Sequence, residues 1–159
     1  MKREDLFTII QQIEDPEYDY QKILANVHYT HFFLMDRYKK LLQPFDLTPT
    51  QANLLGIINH FCPKPVSLEE IKSMVLEPNS DVSRTVSRLA SKELVSKVTD
   101  EENRRKIAVV ITPKGIKLLK EIQDHAMFKK FTAGLQLEDI QLFIKVLTNL
   151  RKSENIEPS

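Results

Sequence analysis

One cysteine, Cys62, stands among the 159 residues. That excludes an internal disulfide and a cysteine-built zinc cage, and it leads us to expect a reducing, cytoplasmic setting. Glycine is nearly as scarce, at three against eight prolines, so well-delimited elements are expected rather than long flexible loops. Apolar runs long enough to span a bilayer are missing, and the opening MKREDLFTII lacks the apolar stretch of a signal peptide. The net charge of +1 is too small to advertise a partner, so any electrostatic footprint for nucleic acid has to be local. Phosphate loop, metal-ligand motif and nucleophile elbow are all lacking. An enzyme is therefore not expected, and neither a cofactor nor a metal is.

What is present is a 42% hydrophobic share, enough for a packed core in one small domain with helical extensions. Lys2 to Glu14 reads as a short amphipathic helix closed by Asp15 and Pro16. From Tyr18 to Gln43 neither Gly nor Pro intervenes. There Tyr20, Leu24, Val27, His31, Leu34, Tyr38 and Leu41 recur at spacings of four and three, predicting a helix of roughly 38 Å that reaches toward a partner.

After Pro44 come two capping boxes, Thr48 with Gln51 and Ser67 with Glu70, each opening a short helix. Leu54, Leu55, Ile58 and Phe61 supply the apolar face of the first. Leu68, Ile71, Met74 and Val75 supply that of the second.

Asn79 or Ser80 then caps a third helix, with Val82, Val86 and Leu89 on one face and Ser80, Ser83, Arg84 and Ser87 on the other. From Val95 the period changes to two. Val95, Lys97 and Thr99 face one way, and a second β-rich run follows at Ile107 to Ile111, so Asp100 to Arg105 joins them as a hairpin loop. Thr112 and Pro113 repeat the cap-plus-proline start. The helix they open carries Ile116, Leu119, Ile122 and Ala126 and is expected to run to Gly134. A last helix, Leu137 to Arg151, aligns Ile140, Phe143, Ile144, Leu147 and Leu150, and the tail SENIEPS frays.

A polar Ser/Arg helix beside a β-ribbon with arginines at its tip suggests a DNA reader. Its charge excess from Asn79 to Lys106 is small, with seven Lys and Arg against five Asp and Glu. Two other readings stand beside it: an interaction module that contacts protein and not DNA, and an ordinary solvated helix face.

The order of elements, with LTPTQANLL at Leu47–Leu55, SDVSRTVSRLASKELV at Ser80–Val95 and DEENRRKIAVVITPKG at Asp100–Gly115, resembles the MarR family of bacterial transcription regulators. The resemblance covers Tyr18 to Leu150 and implies a mainly α protein with a small β-hairpin wing. In it, a winged helix-turn-helix at 47–112 lies between dimerisation helices at 1–46 and 113–152, before a tail at 153–159. It further implies an obligate homodimer, usually a repressor, on a pseudo-palindromic double-stranded operator. The Ser80–Lys92 helix would enter the major groove and the hairpin tip the adjacent minor groove. This chain departs from the family at Asn103, where Asp is usual, at Glu93, where Gly is usual, and at Pro78–Asn79 before the reading helix.

On that reading Asn79, Ser80, Ser83 and Ser87 offer hydrogen bonds to phosphate or base edges, and Arg84 and Arg88 can grip guanine O6 and N7. Arg104 suits a narrow minor groove, and Arg105 and Lys106 suit phosphates. Asp81 is read as complementing the helix dipole. Phe32, Phe33, Met35, Tyr38 and Phe45 are candidates to line a pocket for a small aromatic or amphipathic effector. His28, His31, His60, His125 and Cys62 are weighed as sensing residues and set aside in favour of ordinary surface, interface or core roles.

Overall fold

Prolines and two hydroxyl caps divide the middle of the chain into short helices, and a computed structural model shows how they assemble. It describes residues 8–9, 12–75, 81–99, 107–125 and 133–152. Helix α1, Asp19–Leu42, is followed by a 3-10 turn at Gln43–Phe45. Helix α2, Pro49–His60, and strand β1, Val66–Ser67, come next. Helices α3, Leu68–Met74, and α4, Val82–Ser91, complete the compact helical set. Strands β2, Val95–Thr99, and β3, Ile107–Ile111, precede helix α5, Pro113–Asp124, and helix α6, Leu137–Lys152. The chain divides into two units, Met1–Lys120 and Glu121–Ser159.

Both capping boxes form as the local sequence dictates. The Thr48 hydroxyl accepts from Gln51 N while the Gln51 side chain accepts from Thr48 N, and Ser67 and Glu70 do the same for α3. Each box satisfies two backbone donors that a helix start otherwise leaves unpaired. Replacing Thr48 by alanine is expected to cost about 1 kcal/mol in urea denaturation; an unchanged midpoint would show that the box adds nothing.

The core of the first unit lies where α2, α3, α4 and the sheet meet. Leu54, Leu55 and Ile58 of α2, Ile71 of α3 and Val82, Val86 and Leu89 of α4 are buried, as are Val66, Val95, Val109 and Ile111 of the sheet. Burying each such aliphatic side chain contributes about 1.5–3 kcal/mol. Only the C-terminal end of α1 joins this core, through Leu41 and Leu42. Along the rest of α1, Tyr20, Leu24, Val27 and Leu34 of the apolar stripe are exposed.

The antiparallel sheet has three strands in the order β1-β3-β2, one more than the hairpin expected from the periodicity. Val66 pairs with Val109, and β2 with β3 runs from Val95 opposite Ile111 to Thr99 opposite Ile107. Two residues just after Pro63 and Pro65 carry no strand signal of their own; β1 exists because β3 offers it an edge.

Several boundaries differ from expectation. Ile13 to Asp15 are not helical, so the helix foreseen to Glu14 stops earlier, and most of the rest of it lies outside the described residues. Met74 is exposed rather than part of the apolar face of α3. Helix α5 ends at Asp124 instead of running to Gly134, which sits in a turn before α6. Past Ile122 the next position on its stripe is Ala126, whose methyl offers little apolar area to hold a further turn. The hairpin loop and the tail lie outside the described residues.

Candidate nucleic-acid interface

Helix α4 buries one side completely and leaves the other open. Val82, Val86 and Leu89 are fully buried, while Ser83, Arg84, Ser87 and Arg88 are exposed. Among the described residues neither guanidinium has a hydrogen-bond or ion-pair partner. Each keeps its five donors for an external acceptor.

The cap of α4 is neither Asn79 nor Ser80 but Asp81, whose carboxylate accepts from Arg84 N at 2.9 Å. The start lies one residue or more further on because Val82 must be the first residue of the buried face. A carboxylate at that end also complements the helix dipole. Asn79 and Ser80 lie outside the described residues, as do Arg104, Arg105 and Lys106. The serines of the open face are not equivalent. The Ser87 hydroxyl donates to the Ser83 carbonyl at 2.9 Å and accepts from Lys97 Nζ at 2.9 Å. One lone pair is left.

The C-terminus of α4 is held by two further elements. Lys92 Nζ donates to the carboxylate of Asp46, at 2.8 Å, and to the Asp46 carbonyl, joining the end of α4 to the joint between α1 and α2. Asp46 is itself left-handed at φ 51°. Just beyond, Glu93 makes the turn into β2 at φ 61°, a conformation disfavoured for a residue with a side chain. Its neighbours hold it there. The Thr112 hydroxyl donates to the Glu93 carbonyl at 2.7 Å, and Lys114 Nζ donates to the Glu93 carboxylate at 2.8 Å. The bond and charge of Lys114 hold the Glu93 carboxyl below the usual carboxylate range. The stabilisation from this pair is therefore present at neutral pH and is lost as pH falls through that lowered value.

A cleft of about 800 Å³ opens beside the Lys92–Asp46 pair, lined by His31, Phe32 and Met35 of α1, by Lys39 and Lys40, and by Thr48 to Gln51 at the start of α2. Phe32 and Met35 of the expected effector pocket are here; Phe33, Tyr38 and Phe45 are not. Burial pushes the Tyr38 phenol above its ordinary range, so it stays neutral. The described histidines, cysteine and carboxylates form no cluster of three able to hold a metal, and Cys62 is exposed. None of the described helices is long and apolar enough to cross a membrane.

Lys97 was not among the residues expected at this face. Its alternation with Val95 and Thr99 places it on the inward side of β2, opposite buried Val109, and only its bond to Ser87 shows that it reaches the open face of α4. A lysine on the inward face of a strand that follows a reading helix would have been the signal.

Residues 47–115 match the winged helix DNA-binding domain family. Over 114 residues the chain is 28% identical to the HTH-type transcriptional regulator MhqR of Bacillus subtilis, spanning 70% of this chain and 77% of that protein. The structure of a mutant MarR from E. coli complexed with operator DNA aligns at TM-score 0.71 and 18% identity, covering 86% of this chain and 99% of that one. The organohalide-sensing regulator RdhR, in its 2,4-dichlorophenol-bound form, aligns at TM-score 0.72 and 17% identity, covering 90% and 87%.

Proposed function

We propose that the chain is a winged helix-turn-helix transcriptional regulator of the MarR family and acts as a homodimeric repressor on a pseudo-palindromic operator. The observation that carries this reading is the outer face of α4. Two arginines without a partner among the described residues and two serines stand in the open on a helix whose other side is locked into the core. A helix fixed in that way can enter the major groove without rearranging. Arg84 and Arg88 then face base edges, while Ser83 and Ser87 serve base edges or phosphates. Asn79 and Ser80 would meet phosphates before the helix, with Arg104 in the minor groove and Arg105 and Lys106 on the backbone of the wing side.

Two-fold use of the operator follows from pairing two copies. The apolar residues exposed along α1 and α6 supply surface for that pairing, and the two reading helices would then address half-sites about 34–36 Å apart. The segments 1–46 and 113–152 serve dimerisation on this view. The cleft beside Lys92 suits a small aromatic ligand carrying negative charge, since Phe32 and Met35 give apolar contact and Lys39, Lys40 and Lys92 give cations. RdhR, bound to a chlorophenol, offers a parallel. Such an effector would release DNA only by binding two states of the dimer unequally.

Selection of duplexes from a random pool, followed by salt titration, tests the reading. Specific binding that weakens steeply with salt is expected, and no binding even at low salt would refute it in favour of a protein-contacting module. With the selected duplex, Arg84→Ala is expected to cost about 1–3 kcal/mol and to relax preference at one base pair. Uniform weakening with preference intact would remove Arg84 from base reading.

A further inference from the structure

We propose that Lys97, on the stalk of the wing, is a DNA-backbone contact that works together with the open face of α4. The inference rests on the regulator reading and adds a residue to its interface. Three observations place the side chain. Strand register puts Lys97 opposite Val109 and on the same face as Val95, both buried, so its methylene stem starts on the apolar side of the sheet. The residue is nevertheless exposed, on a strand at the edge of the three-stranded sheet. Its ammonium reaches Ser87 Oγ at 2.9 Å, and Ser87 lies on the exposed face of α4 that also carries Arg84 and Arg88.

The geometry of a groove turns this placement into a contact. An α-helix with its side chains measures about 10–12 Å across, and the major groove is about 12 Å wide. A helix seated in it fills its width. A cation fastened to the flank of that helix from a neighbouring strand therefore lies at the groove wall, where the phosphate oxygens are. Ser87 takes one of the three ammonium hydrogens and leaves two for an acceptor outside the protein. Lysine stems bury along apolar surface and keep the charged end in water, so the charge arrives already directed toward the backbone.

The contact is sequence-independent, and this separates it from those of Arg84 and Arg88. A phosphate-bound cation releases counterions on binding and sets the salt dependence, whereas a base contact sets preference. It also ties the wing to the reading helix at the DNA surface, so both move as one body over the same strand.

The test is salt-dependent binding of Lys97→Gln and Lys97→Arg, beside the wild type, to a duplex enriched from a random pool by the wild type and to an unrelated duplex of equal length. Lys97→Gln is expected to flatten the slope of log K against log salt by about 0.9 for each subunit engaged. It should weaken both duplexes alike, with Lys97→Arg retaining the wild-type slope and an unchanged melting temperature showing that both variants fold. A Lys97→Gln protein with the wild-type slope overturns the inference, whether affinity is unchanged or only preference at one base pair is lost, since the latter would confine Lys97 to holding Ser87. Failure of the wild type to bind either duplex at low salt would instead bring down the regulator reading itself, and this inference with it.

Discussion

Gly115→Ala is expected to destabilise the protein by about 3 kcal/mol, although intrinsic helix propensity alone predicts a gain. Gly115 is the third residue of α5, where alanine is normally favoured over glycine by about 1 kcal/mol. A Cβ there would lie 2.3 Å from the Leu94 carbonyl oxygen and 2.8 Å from Ile111 Cγ1. The carbonyl cannot yield cheaply. It accepts from Thr112 N at 3.1 Å, and the residue before it is the left-handed Glu93, whose carbonyl the Thr112 hydroxyl holds. Relief would therefore unfasten the turn that ends α4, so operator affinity should fall along with stability. Gly56 supplies the opposite case. It lies within α2 with nothing within 4 Å of where a Cβ would be, so Gly56→Ala should stabilise by about 0.5–1 kcal/mol. Urea denaturation of the two variants checks both signs, and a Gly115→Ala protein as stable as the wild type would show that the contact relaxes without cost.

The contrast between these glycines also marks what sequence could and could not convey. Nothing local distinguishes them, because the clash at Gly115 comes from Leu94, 21 residues earlier in the chain. The capping boxes at Thr48 and Ser67 were legible because donor, acceptor and spacing all fall within four residues. So was the two-sided character of α4, which follows from the spacing of Val82, Val86 and Leu89. The start of that helix was not legible. Asn79, Ser80 and Asp81 are all competent caps, and the choice among them is made by where the core needs Val82. Strand β1 escaped notice for a related reason, since its pairing partner Val109 is supplied 43 residues later. Lys97 was visible as a charge but not as part of the open face, because strand alternation points it inward and only the edge of the sheet lets it out. Glu93 stands where the family usually has Gly, and it occupies a left-handed turn with Thr112 and Lys114 holding it.

On the proposed dimeric reading, Ile144→Glu in α6 is expected to leave the chain monomeric and to reduce operator affinity by a factor of about 10² or more. Leu142, Phe143, Ile144 and Val146 are each more than half exposed, and no residue of α6 is buried. Single exposed aliphatics are ordinary on a protein surface, but four within five positions of one helix form a patch of the kind that marks an interaction site. Successive residues of a helix point about 100° apart, so these four are not a single stripe and require cover over a wide arc. A carboxylate in the middle of such a covered surface would be desolvated without a partner, a cost of several kcal/mol that pairing cannot absorb. The loss at the operator follows by a different route. Two linked reading helices bind with the second encounter made intramolecular, which raises avidity by about 10²–10⁴ over one helix alone. A monomer keeps Arg84, Arg88 and Ser83 intact and still forfeits that factor. Light scattering over a range of concentrations, paired with binding to full and half operators, separates the two effects. The expected result is a monomer that binds half-sites as the wild type does and full sites no better. A dimer that retains full-site affinity would mean that α6 is covered by something other than a second copy of the chain.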